Sequence, residues 1–191
     1  MTGQGEPHLP RLFEPGVAVL LGFVVVVGNP WLDLQVALAD SGSALRVVSV
    51  LFSYPSWHVD LDSAGPFFFW FANLRTVLFV ALAVMGLSRV SRWVSEAAGG
   101  KGLFVTTVGL TTLSAVVSGM VASVAVTVLL DSRETGPYLL DGQPEEFFLV
   151  QLSTSAAFGV LFGSVLGAVV ALRRRTPASR ERRVHAPKSL W

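Results

Sequence analysis

Residues 102–130 read GLFVTTVGLTTLSAVVSGMVASVAVTVLL. They are 29 consecutive uncharged residues between Lys101 and Asp131. The hydrocarbon core of a bilayer is about 30 Å thick, and a helix rises about 1.5 Å per residue. About 20 mostly apolar residues therefore suffice to cross it, and this run exceeds that length.

Working outward, three further runs are bounded by charges. Residues 147–172 are free of charge over 26 positions. Residues 63–88 span another 26, interrupted only by Arg75. Residues 15–32 give 18, with the breaker pair Asn29-Pro30 near the end. The first helix is expected to begin before Pro15 and to stop near Gly28. The sequence thus predicts an all-α integral membrane protein, a bundle of four transmembrane helices at about 13–30, 66–88, 103–130 and 147–172. Residues 1–12 form an N-terminal segment, 13–172 the membrane domain, and 173–191 a basic tail. Signal-peptide features also exist in the first run. Its A-x-A pattern, Ala37-Leu38-Ala39, lies about ten residues beyond the apolar stretch, which favours an uncleaved signal anchor.

Composition agrees. Of 191 residues, 52% are hydrophobic and 14% are charged, against about 25% charged in soluble chains. Bulk charge excludes a nucleic-acid partner, and the absence of cysteine excludes a disulfide scaffold. The net charge of +1 conceals a polarity. The N-terminus, the 88–102 loop and the C-terminal tail carry 11 basic and four acidic residues. The remaining loops and segments carry three basic and nine acidic. By the positive-inside rule both termini are expected in the cytoplasm. Trp31, Phe67–Phe69, Trp70, Tyr138, Phe147 and Phe148 then fall at the outer interface and Trp93 at the inner one. Twelve Arg against two Lys suggest a GC-rich bacterial source. The expected location is the bacterial cytoplasmic membrane.

The 33–66 segment is too long for a turn, and it is expected to pack on the bundle as a small outer cap. Within it Leu45–Phe52 reads equally as interfacial helix or strand. The second outer loop, 131–146, has a net charge of −4.

Small residues recur every four positions in the last two spans. Thr107, Thr111, Ala115, Gly119, Ser123 and Thr127 share one helix face, as do Ser155, Gly159, Gly163, Gly167 and Ala171. Lipid provides no hydrophobic drive for helix association, so small side chains that let backbones approach mark packing faces. The two stripes predict packing of these spans on each other, or on a partner or second copy.

Arg75 is the one charge that interrupts the four apolar runs. It either snorkels to the outer headgroups, pairs with Glu145, Glu146 or Gln151, or binds a substrate. His58, Asp60 and Asp62 alternate in the outer loop. In an extended chain they share a face, where they make a candidate metal or acid–base set or simply a solvated loop. Tyr54 and Trp57 beside them suggest packing on the membrane surface. Arg173, Arg174 and Arg175 open a tail of net charge +6 that is expected to contact anionic lipid. Pro177 and Pro187 argue against a long helix there.

There is no P-loop, H-E-x-x-H, G-x-S-x-G or S-x-x-K pattern. The charge-bounded runs 15–32, 63–88, 102–130 and 147–172 hold no His, Asp or Glu, which disfavours a helix-held haem and proton-coupled transport. No cofactor is expected. The function that fits is a non-enzymatic membrane subunit or scaffold acting through helix–helix association. A small channel or transport component lined by Arg75, Gln151, Thr154 and the hydroxyls of span three is the alternative. A membrane enzyme with an outer-face His/Asp site is a third.

Overall fold

A computed structural model describes residues 15–29, 51, 54–93, 100–130 and 144–184. Five helices are described: α1 Pro15–Val27, α2 Leu61–Ala64, α3 Pro66–Trp93, α4 Gly100–Leu129 and α5 Pro144–Val184. Among the described residues there is no strand. The expectations for Leu45–Phe52 (Leu51 apart), for 131–143, for the 94–99 turn and for both chain ends lie outside these residues. So do the side chains of Arg173, Arg174 and Arg175.

Three helical segments are long and apolar enough to cross a membrane: Pro66–Arg89, Gly100–Leu129 and Glu145–Leu172. They match the sequence expectation within a few residues. The first run gives a shorter apolar helix, Gly16–Val27.

Helix starts follow proline. α1, α3 and α5 each begin on one, where its fixed φ suits the first turn and its missing N–H costs nothing. Glu145 and Glu146 in the first turn of α5 complement the helix dipole. The short α2 is capped by Asp60, whose carboxylate accepts from the Asp62 amide at 3.0 Å. It ends at Gly65, with φ of 75°, a conformation that favours glycine. The Gly65 amide donates back to Leu61, and the Gly65 carbonyl then receives the Phe69 amide. One residue therefore closes α2 and starts α3.

Against expectation, α5 runs through Pro177 to Val184. An interior proline removes an i→i−4 bond and its ring crowds the carbonyl four residues back, at about 3 kcal/mol, while the alanine, arginine and glutamate around it favour helix.

α4 and α5 form the most extensive helix pair. They run antiparallel, and each step of four along α5 matches a step of four back along α4. A Cβ at Gly159 would lie 2.4 Å from Thr112 Cα, one at Gly163 3.0 Å from Val108 Cα, and one at Gly167 3.2 Å from the Phe104 carbonyl oxygen. The contact at Gly159 is open only to glycine, and those at Gly163 and Gly167 are tight enough that a Cβ would push the neighbouring helix by a few tenths of an ångström. Gly119 faces the side chains of Ser155 and Gln151. α3 packs on the other side of α4. α1 inserts Val17, Leu20 and Val24 into a core with Phe79, Phe158, Phe162 and Leu166. Phe23 stacks on Phe162 at 4.4 Å. A second cluster, Phe67, Phe71, Ala122 and Val126, closes the far end with Phe147 packed on it.

Candidate functional site

Arg75 lies nine residues into α3, about 14 Å from its start, and is 8% exposed. Its surroundings are built from the segment that precedes α2. Tyr54, 3% exposed, enters the bundle between α3, α4 and α5. Its ring stacks on Phe158 at 4.1 Å and meets the edge of Phe79 at 5.6 Å. Its hydroxyl donates to the Ala115 carbonyl at 2.5 Å and lies 2.8 Å from Ser118 Oγ. Burial pushes this hydroxyl above the ordinary phenol range, outweighing the Ser118 hydrogen bond and the Arg75 charge, so it remains a neutral donor.

Arg75 Nη2 donates to the Tyr54 carbonyl at 2.6 Å. Its guanidinium lies 4.5 Å from the centroid of the Tyr54 ring and 5.0 Å from that of Phe71. The planar cation thus bridges the two aromatic clusters, with both ring faces stabilising its charge away from water.

Neighbouring side chains of α3 hold the rest of the segment. Thr76 donates to the Ser56 carbonyl at 3.2 Å. Asn73 accepts from the His58 amide at 3.1 Å and donates to the His58 carbonyl at 3.0 Å. Trp57 reaches α1, where its amide donates to Gly28 at 3.2 Å and its ring takes the space a Cβ at Gly28 would need. Segment 54–58 is therefore tied to two helices by its backbone and driven into a third by Tyr54.

The sequence-selected residues fall as follows. Glu145 and Glu146 are exposed at the start of α5. Gln151 is buried and donates to Ser155 at 3.0 Å, an i,i+4 bond within α5. The contacts described for Arg75 are to Tyr54 and Phe71 instead. Arg75 does not snorkel outward, because its head is enclosed by rings. His58, Asp60 and Asp62 do not converge. Asp60 caps α2, so the extended geometry needed to align all three ends there. Among the described residues no group of three His, Asp or Glu is placed to hold a metal ion.

Ala115, Gly119 and Ser123 are buried in α4, and Ser155, Gly159, Gly163 and Gly167 in α5. Both stripes lie inside the chain's own bundle. Their hydroxyls are directed at helix backbone: Thr107 donates to Leu103, Thr111 to Thr107 and Ser123 to Gly119, at 2.7–2.8 Å. A hydroxyl satisfied by its own helix packs like a small apolar group. Thr154 is exposed and donates to the Val150 carbonyl.

The sequence suggested that Tyr54 packs on the membrane surface. Tyr54 instead enters the bundle, and Asn73 holds the same segment at His58. The signal available was Tyr54-Pro55-Ser56-Trp57, two large polar-edged rings beside a proline in a chain with only two tyrosines.

Changing Tyr54 to Phe keeps the stack and removes the hydroxyl, leaving the Ala115 carbonyl without this donor. The expected cost is about 1 kcal/mol, read as a lower unfolding midpoint in detergent. Changing Asn73 to Ala removes both bonds to His58. It is expected to speed amide exchange at His58 while the unfolding midpoint falls by only a few degrees, because the segment keeps its other anchors.

No protein-family model matches the chain, and no curated protein or solved structure is significantly similar to it.

Proposed function

We propose that this chain is a four-span protein of the bacterial cytoplasmic membrane with both termini in the cytoplasm. In this reading it is a non-enzymatic subunit or scaffold that associates with a membrane-protein partner or a second copy. The observation that carries the reading is the use made of the intramembrane polar groups. Arg75, Tyr54, Ser118, Gln151 and Ser155 bind one another and the backbone, and rings of Tyr54, Phe79, Phe158 and Phe162 fill the space between the helices. Such an interior favours a rigid building element over a solute path.

Contacts at one end of the bundle support the threading. Gly16 of α1 lies beside Val170 of α5, Gly167 of α5 beside Phe104 of α4, and Gly86 of α3 beside Leu110 of α4. The start of α1 and the end of the apolar part of α5, near Val170, therefore share an end with Arg89 and Lys101. This is the side on which the basic residues concentrate. α1 spans about 20 Å as described, less than a full crossing, but its buried face is part of the common core. That placement favours α1 as the fourth span.

The small-residue stripes are consumed internally, so association falls to outward faces such as Val25 of α1 and Val121 of α4, which are 68% and 46% exposed. Photo-crosslinkers at these two positions, followed by purification and mass spectrometry, are expected to capture one stoichiometric membrane partner or a second copy. A chain that is monomeric and uncrosslinked from both positions would overturn the reading. The native chain has no cysteine, so single cysteines test the threading cleanly. Ser63→Cys is expected to label from outside intact cells, and Ser179→Cys only after lysis. The reverse pattern inverts the orientation.

A further inference from the structure

A groove runs along the outward side of the α4/α5 pair. Its mouth, about 470 Å³, is lined by Lys101, Phe104, Val105, Ala168 and Leu172 among others. It shares Phe104 and Val105 with a second section of about 560 Å³ that continues past Gly109 and Leu113 to Val116. The deep section is apolar save for Thr112, whose hydroxyl donates to the Val108 carbonyl. The groove owes its depth to Gly109. A Cβ there would meet nothing within 4 Å, whereas Val105 and Leu113, one turn to either side, are 67% and 62% exposed.

We propose that this groove binds one acyl chain of an anionic phospholipid whose phosphate sits at Lys101. The inference rests on the membrane-embedded reading and locates the lipid contact within it. Three observations favour this occupant. The first is length. α4 has 30 residues, about 45 Å, so about 7 Å overhangs each face of a 30 Å hydrocarbon core. Val105 then lies near the boundary, and Val105 to Val116 covers about 16 Å, the depth of one leaflet. The second is charge. Lys101 is exposed at the mouth, about 6 Å outside that boundary, at headgroup level. From Leu172, on the groove wall, the chain passes directly into Arg173-Arg174-Arg175. Basic groups at this level attract anionic headgroups. The third is shape. A partner helix needs small residues on successive turns to bring backbones together. Here a single glycine is flanked by two protruding side chains, which leaves room for a flexible chain and not for a helix.

The test uses the full-length protein in detergent supplied with equal palmitoyl-oleoyl phosphatidylglycerol and phosphatidylcholine, read by native mass spectrometry. Wild type is expected to retain phosphatidylglycerol at least about fivefold over phosphatidylcholine. Lys101→Gln is expected to lower that preference by about fivefold without loss of apolar binding. Gly109→Leu, which has space for its side chain, is expected to abolish retention of both lipids at an unchanged unfolding midpoint. Equal retention of the two lipids by wild type, or wild-type retention by Gly109→Leu, overturns the proposal. So does a dimer that Gly109→Leu converts to monomer, since the occupant is then a second copy. Recovery of the chain in an alkaline carbonate wash would instead defeat the membrane reading itself.

Discussion

Gly159→Leu is expected to leave no folded bundle. The new Cβ would lie 2.4 Å from Thr112 Cα, 3.2 Å from its amide nitrogen and 3.2 Å from its Cβ. Two of these three are backbone atoms of a helix, so no rotamer change relieves the overlap. The only response is to move α5 away from α4, and that movement would also open the close approaches at Gly163 and Gly167. Overpacking a core commonly costs about 1–3 kcal/mol. Here the closest helix pair must separate, and a cost above that range is expected. Size-exclusion chromatography in detergent should show aggregate in place of a monodisperse peak. The control is Gly109→Leu on the exposed face of α4, where a Cβ meets nothing and the elution profile should not change. A monodisperse, thermally normal Gly159→Leu variant would mean that the two helices are not in contact at this register.

Arg75→Ala is expected to cost about 3 kcal/mol and to release segment 54–58. Truncation removes a charged donor from the Tyr54 carbonyl, about 1.5–3 kcal/mol, and the cation's contact with two ring faces, about 0.5–2 kcal/mol. It also leaves a cavity. Relief from holding a charge within the membrane domain acts in the other direction. Arg75→Met separates these effects, since it restores most of the volume without the charge or the hydrogen bond. It is expected to recover part of the stability and none of the tether. Ser56→Cys gives the readout, because this residue sits between the Thr76 bond and the buried Tyr54. Its maleimide labelling is expected to rise at least about tenfold in Arg75→Ala and in Arg75→Met. Unchanged protection in both variants would show that Arg75 does not hold the segment.

Much of this architecture was legible from the chain. The membrane-spanning parts of α3, α4 and α5 follow from the charge-free runs, but α5 continues past its run to Val184. The small-residue stripes fall on faces of α4 and α5 that are buried between the two helices. They could not say against what, because a stripe of Ser155, Gly159, Gly163 and Gly167 would look the same facing α4 or facing another protein. The proline rule failed in the tail, where Pro177 lies inside a helix. Arg75 stood out by its charge, but its surroundings did not. The residues beside it come from Tyr54, 21 positions earlier, while Tyr54 itself is bonded to Ala115 and Ser118, 61 and 64 positions later.

The linear order of residues alone dictates that three helices are long and apolar enough to cross a bilayer and that the basic residues are segregated along the chain. Both are local properties. A run's length is measured against a fixed hydrocarbon thickness, and charge is counted segment by segment. It took the packed bundle to show that Arg75 lies against the rings of Tyr54 and Phe71, that Asp60 is used as a helix cap, and that the glycine stripe is spent inside the chain. Those outcomes depend on which helix faces meet and in what register. Contacts separated by tens of residues fix that register, and no periodicity within a single helix encodes it.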